Sequence, residues 1–252
     1  MIREAFARES AKQAPDQQVE FLDAVLRERP DLKGKPVHFG EHGLKGHTVI
    51  IGDEVFKAPK AQTGECRDDF ETESRTLAAL DGNPFTTAIP RLTTVGRNFL
   101  FFGMTKVPGE VLGCDFSLRF SKREQRELAR DIVNFIIEMS RALPTKDGKF
   151  ATHDDLHYTN IFIDPKTKKL SGIIDFGQLA YKSPNEWLPK RDFRGTPLYE
   201  YLGEEFDRRK GELPDTSVTL PKQSRFAAFR RLTAAQPLKY DRKAGYTRLP
   251  QA

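Results

Sequence analysis

The stretch His153-Asp-Asp-Leu-His-Tyr-Thr-Asn160, followed by Ile173-Ile-Asp175-Phe-Gly177, decides the reading of this chain. In the first, Asp155 and Asn160 stand in the pattern H-x-D-x-x-x-x-N. In the second, Asp175 precedes Phe-Gly at the end of an apolar run. One carboxylate to align a hydroxyl, with an Asn and an Asp to hold magnesium, is the set that phosphoryl transfer from ATP requires beside its acceptor. Magnesium prefers hard oxygen ligands and keeps several waters, so few protein groups suffice. Adjacent acids such as Asp154 and Asp155 are also common in solvated turns. That bland reading leaves Asn160 and Asp175 as coincidences.

The runs Ile161-Phe-Ile163 and Ile173-Ile174 read as short strands that present these groups, with Lys166 to Lys169 as the turn between them. Upstream, Val37 to about Lys57 is β-rich and turns at Gly52-Asp53, a hairpin signature. Gly40, Gly43 and Gly46, with Val49 behind them, form a Gly-rich run of the kind that can cover phosphates. Glycines let backbone amides approach phosphate oxygens closely; the alternative is a flexible hairpin tip. Val19, Leu22, Val25 and Leu26 predict a helix over residues 16–29, with Asp16 as N-cap and Pro30 and Gly34 as its stop. Residues 67–80 read as a helix with Phe70, Leu77 and Leu80 on one side, and residues 98–104 as a buried strand. Pro108-Gly109 breaks the chain.

Beyond that break helices dominate. Ser121-Lys-Arg-Glu124 is a capping box and opens a helix carrying Leu128, Ile132, Phe135, Ile136, Met139 and Leu143. Thr196-Pro197 starts another, through about Arg209, and residues 222–234 read as a last one. Strands first, helices later and a hinge near residues 105–109 predict an α+β protein of two lobes.

These motifs, in this order over residues 37 to 180, resemble the protein-kinase-like superfamily. The style is nearest to aminoglycoside and choline phosphotransferases, which favour His-Gly-Asp-Leu-His-x-x-Asn and Ile-x-Asp-Phe-Gly. Here the usual Gly is Asp154. The resemblance implies a bilobal protein-kinase-like fold with a small β-rich N-lobe and a compact, mainly helical C-lobe. The expected division is a helical extension at 1–35, an N-lobe at 36–106, a C-lobe at 107–235 and a basic tail at 236–252. It also implies ATP and magnesium (Mg2+) as cofactors. Asp155 matches the catalytic aspartate and His153 the residue that supports its loop. Asn160 and Asp175 match the two magnesium ligands. Lys57 matches the strand lysine on the α- and β-phosphates, with Lys60 as competitor beyond Pro59. Glu73 matches the helix carboxylate that holds that lysine, whereas Glu71 points elsewhere on a helix. Met104-Thr-Lys-Val-Pro-Gly109 resembles the hinge, where adenine would bond backbone near Thr105 and Val107.

The acceptor is less legible. His157 stands where many Ser/Thr protein kinases carry a lysine, which points to small-molecule kinases. Against that, only 77 residues follow Asp175, a short allowance for an antibiotic-binding lobe. Residues 176–252 hold 15 Lys/Arg and 9 Asp/Glu, a net of +6, while residues 1–175 are at −1. A pocket for a polycationic antibiotic should be acidic. The favoured expectation is therefore a compact atypical protein kinase acting on Ser or Thr, with Ser183 and Thr196 as possible self-acceptors. The alternatives are a small-molecule kinase, nucleotidyl transfer on the same fold, and a non-catalytic module that docks an acidic partner through the basic C-terminal segment.

No apolar run approaches the roughly 20 residues a membrane span needs, and the N-terminus lacks the apolar core of a secretory signal. Two cysteines, Cys66 and Cys114, make no disulfide framework. Cytoplasmic placement is the expectation, with secretion lacking a cleavable signal as the alternative. Neither cysteine, nor His42, His47 or Trp187, shows a partner in the sequence, and core or surface roles are expected for them.

Overall fold

Strand alternation decides which faces of the N-terminal sheet meet which helix. The structure, a computed structural model, describes residues 16–40, 46–60, 64–97, 100–187 and 193–214. Strands β1 (Val37–Phe39), β2 (Gly46–Ile51) and β3 (Glu54–Pro59) form antiparallel neighbours, and β2 turns into β3 at Gly52, where φ is +61°. The expected hairpin is thus present. Strands β4 (Leu92–Val95) and β5 (Phe102–Thr105) complete a five-stranded sheet in the order β1-β2-β3-β5-β4. The buried strand expected at 98–104 is β5; residues 98–99 lie outside the described residues.

Successive side chains of a strand face opposite ways. Val49, Ile51, Phe56 and Ala58 therefore face one side of the sheet. There they pack with Phe21 and Val25 of helix α1 (Asp16–Glu28), and with Leu32 and Phe101. The helix expected as an extension thus shares a core with β2 and β3. Lys57 and Phe102 are cross-strand partners on the other side. That side takes helix α2 (Glu65–Leu80), whose Phe70 ring lies 4.8 Å from that of Phe102. Each fully buried Phe or Leu contributes about 2 kcal/mol of apolar transfer, so the two cores clamp the sheet from both sides.

The C-terminal part is built on helices α3 (Phe116–Arg119), α4 (Lys122–Ala142) and α5 (Pro197–Arg209). The capping box forms as expected: the Ser121 amide donates to Glu124 at 2.7 Å, and the Glu124 amide donates to the Ser121 hydroxyl at 3.3 Å. Leu128, Ile132, Phe135, Ile136 and Met139 are all buried along α4. Thr196 precedes α5 but does not cap it, since its hydroxyl donates to the Phe193 carbonyl at 2.7 Å. Trp187 is a core residue, stacked on Phe206 of α5 at 4.2 Å.

Among the described residues five short strands also lie beyond the hinge: β6 (Glu110–Val111), β7 (Phe150–His153), β8 (Ile161–Ile163), β9 (Leu170–Ile173) and β10 (Leu179–Lys182). The expected pair, β8 and β9, is joined by β6, while β7 pairs with β10. The three unexpected strands are too short to show a period in sequence. The helix expected at 222–234, the tail from 236 and Gly43 lie outside the described residues. Among the described residues no helix is long and apolar enough to cross a membrane.

Gly109 closes the hinge. Its φ is +100°, and a Cβ there would sit 2.5 Å from the Ile163 carbonyl oxygen, which belongs to β8. Gly109→Ala combines a backbone conformation unfavourable to L residues with a backbone collision. We expect a loss of about 3 kcal/mol in urea unfolding. A midpoint equal to that of the wild type would show that the hinge relaxes freely.

Candidate active site

His153 ends β7 and orients the loop that bears Asp155. Its Nδ1 accepts the Asp155 amide at 3.1 Å, so Nε2 carries the proton and donates to the Ile174 carbonyl at 2.9 Å. One buried imidazole thereby ties the Asp155 loop to the segment that bears Asp175. A second tie is backbone only: the Ile174 amide donates to the Asn160 carbonyl at 3.0 Å. Phe176 places its ring edge-on to His153, 4.9 Å away. Asp175 itself has φ of +68°, a left-handed conformation that a non-glycine residue adopts only when its surroundings hold it there.

Lys57 comes to the same place from the sheet. Its Nζ lies 2.7 and 2.8 Å from the two Glu73 carboxylate oxygens and 3.5 Å from Asp175 Oδ1. Burial pushes the Glu73 carboxyl up, and the Lys57 ammonium opposes that push. The two short contacts are those of an ion pair. Asp175 is held below the usual carboxylate range by the charge of Lys57, against its own burial. Glu71 is elsewhere, paired with Arg67 and Arg75 one turn to either side, both at 2.8 Å. Lys60 is exposed beyond Pro59.

Asn160 folds back on the loop. Its Nδ2 donates to the Asp155 carbonyl at 2.9 Å and to Asp155 Oδ2 at 3.2 Å. With the amide hydrogens so directed, its side-chain oxygen faces away from Asp155. Asp154, in place of glycine, forms an ion pair with Lys182 of β10, and its amide donates to the Gln178 carbonyl at 2.8 Å.

A cleft of about 440 Å3 joins these groups. Lys57, Glu73, Asp155, Asn160 and Asp175 line it, with Gly46 and Thr48 from β2 and Asp69 from α2. Of the expected phosphate-covering residues, Gly46 borders the cleft, and the Gly40 amide is committed to the Thr48 carbonyl at 2.9 Å. Val49 is fully buried in the core shared with α1. Alternation turns Thr48, the cross-strand partner of Lys57, toward the cleft instead. Met104 and Val107 have buried side chains, and the Thr105 amide donates to the Arg91 carbonyl at 2.9 Å. Among the described residues, these three hinge positions do not border the cleft.

Sequence reasoning missed Thr48, Asp69 and Thr159 as cleft residues. Asp69 lies one helical turn before Glu73, so the period of α2 carried that signal. Thr48 was legible only once the β2–β3 register was known.

No family model matches the chain, and no curated protein does. Solved structures do share its fold. It aligns with the GDP complex of aminoglycoside 2'-phosphotransferase-IIIa at a TM-score of 0.60 and 19% identity, over 77% of this chain and 86% of that one. The GDP and kanamycin complex of APH(2")-IIIa gives 0.59 and 20%, over 85% and 87%. ADP-bound aminoglycoside phosphotransferase APH(2'')-Ib gives 0.59 and 15%, over 88% and 87%. The fold is therefore the kinase-like α+β fold of these phosphotransferases, as the motif order implied.

Proposed function

We propose that this protein is a magnesium-dependent phosphotransferase that moves the γ-phosphoryl group of a nucleoside triphosphate to a hydroxyl of a small molecule. The observation that carries it is the convergence of the Glu73 and Asp175 carboxylates within 3.5 Å of the Lys57 ammonium, in a cleft shared with Asp155 and Asn160. Lys57, fixed by Glu73, meets the phosphates. The Asp175 carboxylate and the Asn160 amide oxygen are hard donors that fit magnesium, which phosphate oxygens and water would complete. That ion supplies neutralisation of the charge developing on the phosphoryl group. Asp155 accepts a hydrogen bond from the acceptor hydroxyl and aligns it for attack.

The expectation of a protein acceptor finds no support in the structural neighbours, which in their kanamycin and gentamicin complexes hold an antibiotic. The charge argument against such acceptors also weakens at the site. The basic excess lies after residue 176, but the cleft is lined by Asp69, Glu73, Asp155 and Asp175 against Lys57. An acidic cleft suits a magnesium–nucleotide complex and an amine-bearing alcohol.

The test is to incubate the pure protein with magnesium and γ-labelled ATP or GTP. The acceptors offered are a panel of aminoglycosides, neutral polyols and an unstructured Ser/Thr-rich protein. We expect label on a small molecule, with its mass raised by one phosphate. Label on protein alone would restore the Ser/Thr reading, and transfer from α-labelled nucleotide would establish nucleotidyl transfer.

A further inference from the structure

We propose that Thr159 and His157 are positioning residues that hold the Asp155 carboxylate in one orientation, an inference that rests on the phosphotransfer reading. The carboxylate torsion of an aspartate is broad and roughly two-fold, so an aligning aspartate needs something to hold it. Here the holding groups come from its own loop.

The His157 ring has both nitrogens engaged. Its Nδ1 lies 2.9 Å from the Thr159 hydroxyl, and the Thr159 backbone amide reaches the same nitrogen at 3.4 Å. A backbone N–H only donates, so Nδ1 accepts and the proton of the neutral imidazole sits on Nε2. Nε2 lies 3.4 Å from Asp155 Oδ2, 3.3 Å from Asn160 Nδ2 and 3.4 Å from the Thr159 hydroxyl. The Asn160 amide has two hydrogens, directed to the Asp155 carbonyl and to Oδ2. Of the neighbours of Nε2, Oδ2 is the charged acceptor. The Asn160 amide donates to that oxygen and His157 Nε2 stands 3.4 Å from it, so two side chains flank one carboxylate oxygen and leave Oδ1 to face the acceptor. The 3.4 Å separation is of the kind that shortens when substrate closes a catalytic site.

The chain of contacts runs outward from the cleft. Asp155 and His157 are part-buried in its wall, and Thr159 is solvent-exposed at its edge. Thr159→Val therefore removes a hydroxyl from the surface and disturbs no core packing.

The test uses the full chain and the hydrolysis of magnesium–ATP, in which water takes the place of the acceptor. We expect Thr159→Val to lower kcat about tenfold with KM for ATP unchanged, the usual scale for loss of an orienting partner. Thr159→Ser should recover most of that loss, since it restores the hydroxyl. In a His157→Ala background the Thr159→Val change should cost nothing further, because both act through one path. Long-range proton–nitrogen NMR at a single alkaline pH should show His157 with its proton on Nε2. Wild-type kcat in Thr159→Val, additive losses in the double variant, or a proton on Nδ1 in the wild type would each overturn the proposal. A wild-type protein that turns over no nucleotide either with water or with the acceptor panel would instead sink the phosphotransfer reading. The tautomer measurement would then still decide whether the contact exists.

Discussion

Asp155→Asn should lower kcat about a thousandfold, within the range seen when a positioned proton acceptor is lost, while nucleotide affinity and thermal midpoint stay near those of the wild type. The asparagine keeps the shape and one acceptor oxygen but loses the charge. It also sets an amide N–H against the Asn160 amide, which now donates to Asp155 Oδ2 at 3.2 Å. The fold should survive because the stronger tie of Asn160, at 2.9 Å, goes to the backbone carbonyl of residue 155. The His153 bond likewise uses the residue 155 amide. Phosphorylation of whichever small molecule accepts label from the wild type, with nucleotide affinity by calorimetry, is the measurement. A fall in kcat smaller than about tenfold would mean that another group aligns the acceptor.

Lys57→Met should damage both catalysis and stability, for one reason. Glu73 has a side chain 5% exposed, and its charge is matched by the Lys57 ammonium at 2.7 Å. Removing one partner of a buried pair leaves an uncompensated charge and typically costs about 3 kcal/mol. The protein has an escape, which is to protonate Glu73. Burial already pushes that carboxyl up, and without Lys57 nothing of comparable size opposes it. The folded-state pKa then stands above the unfolded value near 4.5. Below the unfolded value both states hold the proton and the penalty is absent. As pH rises above it, the unfolded chain releases a proton that the folded chain keeps, so stability falls. Urea unfolding of Lys57→Met should thus weaken from pH 4.5 upward more steeply than that of the wild type. The double variant Lys57→Met, Glu73→Leu should regain stability and stay inactive. A Lys57→Met protein as stable as the wild type at neutral pH, and still turning over nucleotide, would remove the pair from both roles.

Much of the candidate site was legible because its groups are held by short-range geometry. His153, Asp155 and Asn160 lie in one loop, and the hydrogen bonds among them span few residues, so spacing alone carried them. The Ser121–Glu124 capping box and the Gly52 turn are equally local. Lys57 was separable from Lys60 because Pro59 ends the strand. The cleft wall was harder. Thr48 rather than Val49 faces Lys57, and that depends on the β2–β3 register, which a shift of one residue would reverse. Strands β6, β7 and β10 exist because partners far along the chain offer them hydrogen bonds, and two to four residues show no period of their own.

The sequence by itself determined the order of the motifs, the hairpin and the capped helix, and it singled out Lys57, Glu73, Asp155, Asn160 and Asp175 as the candidate set, since each depends on neighbours within a few residues or on a resemblance carried by spacing. Tertiary structure alone decided that the first helix closes the sheet through Phe21 and Val25, that Asp154 pairs with Lys182, that Asp69 joins an acidic cleft and that His157 stands between Thr159 and Asp155. Except for the local His157 contacts, these pairings join residues from distant parts of the chain, and the choice among possible partners is made by the packing of whole faces and not by any local preference. The His157 contacts depend on the loop conformation that the His153–Ile174 bond holds.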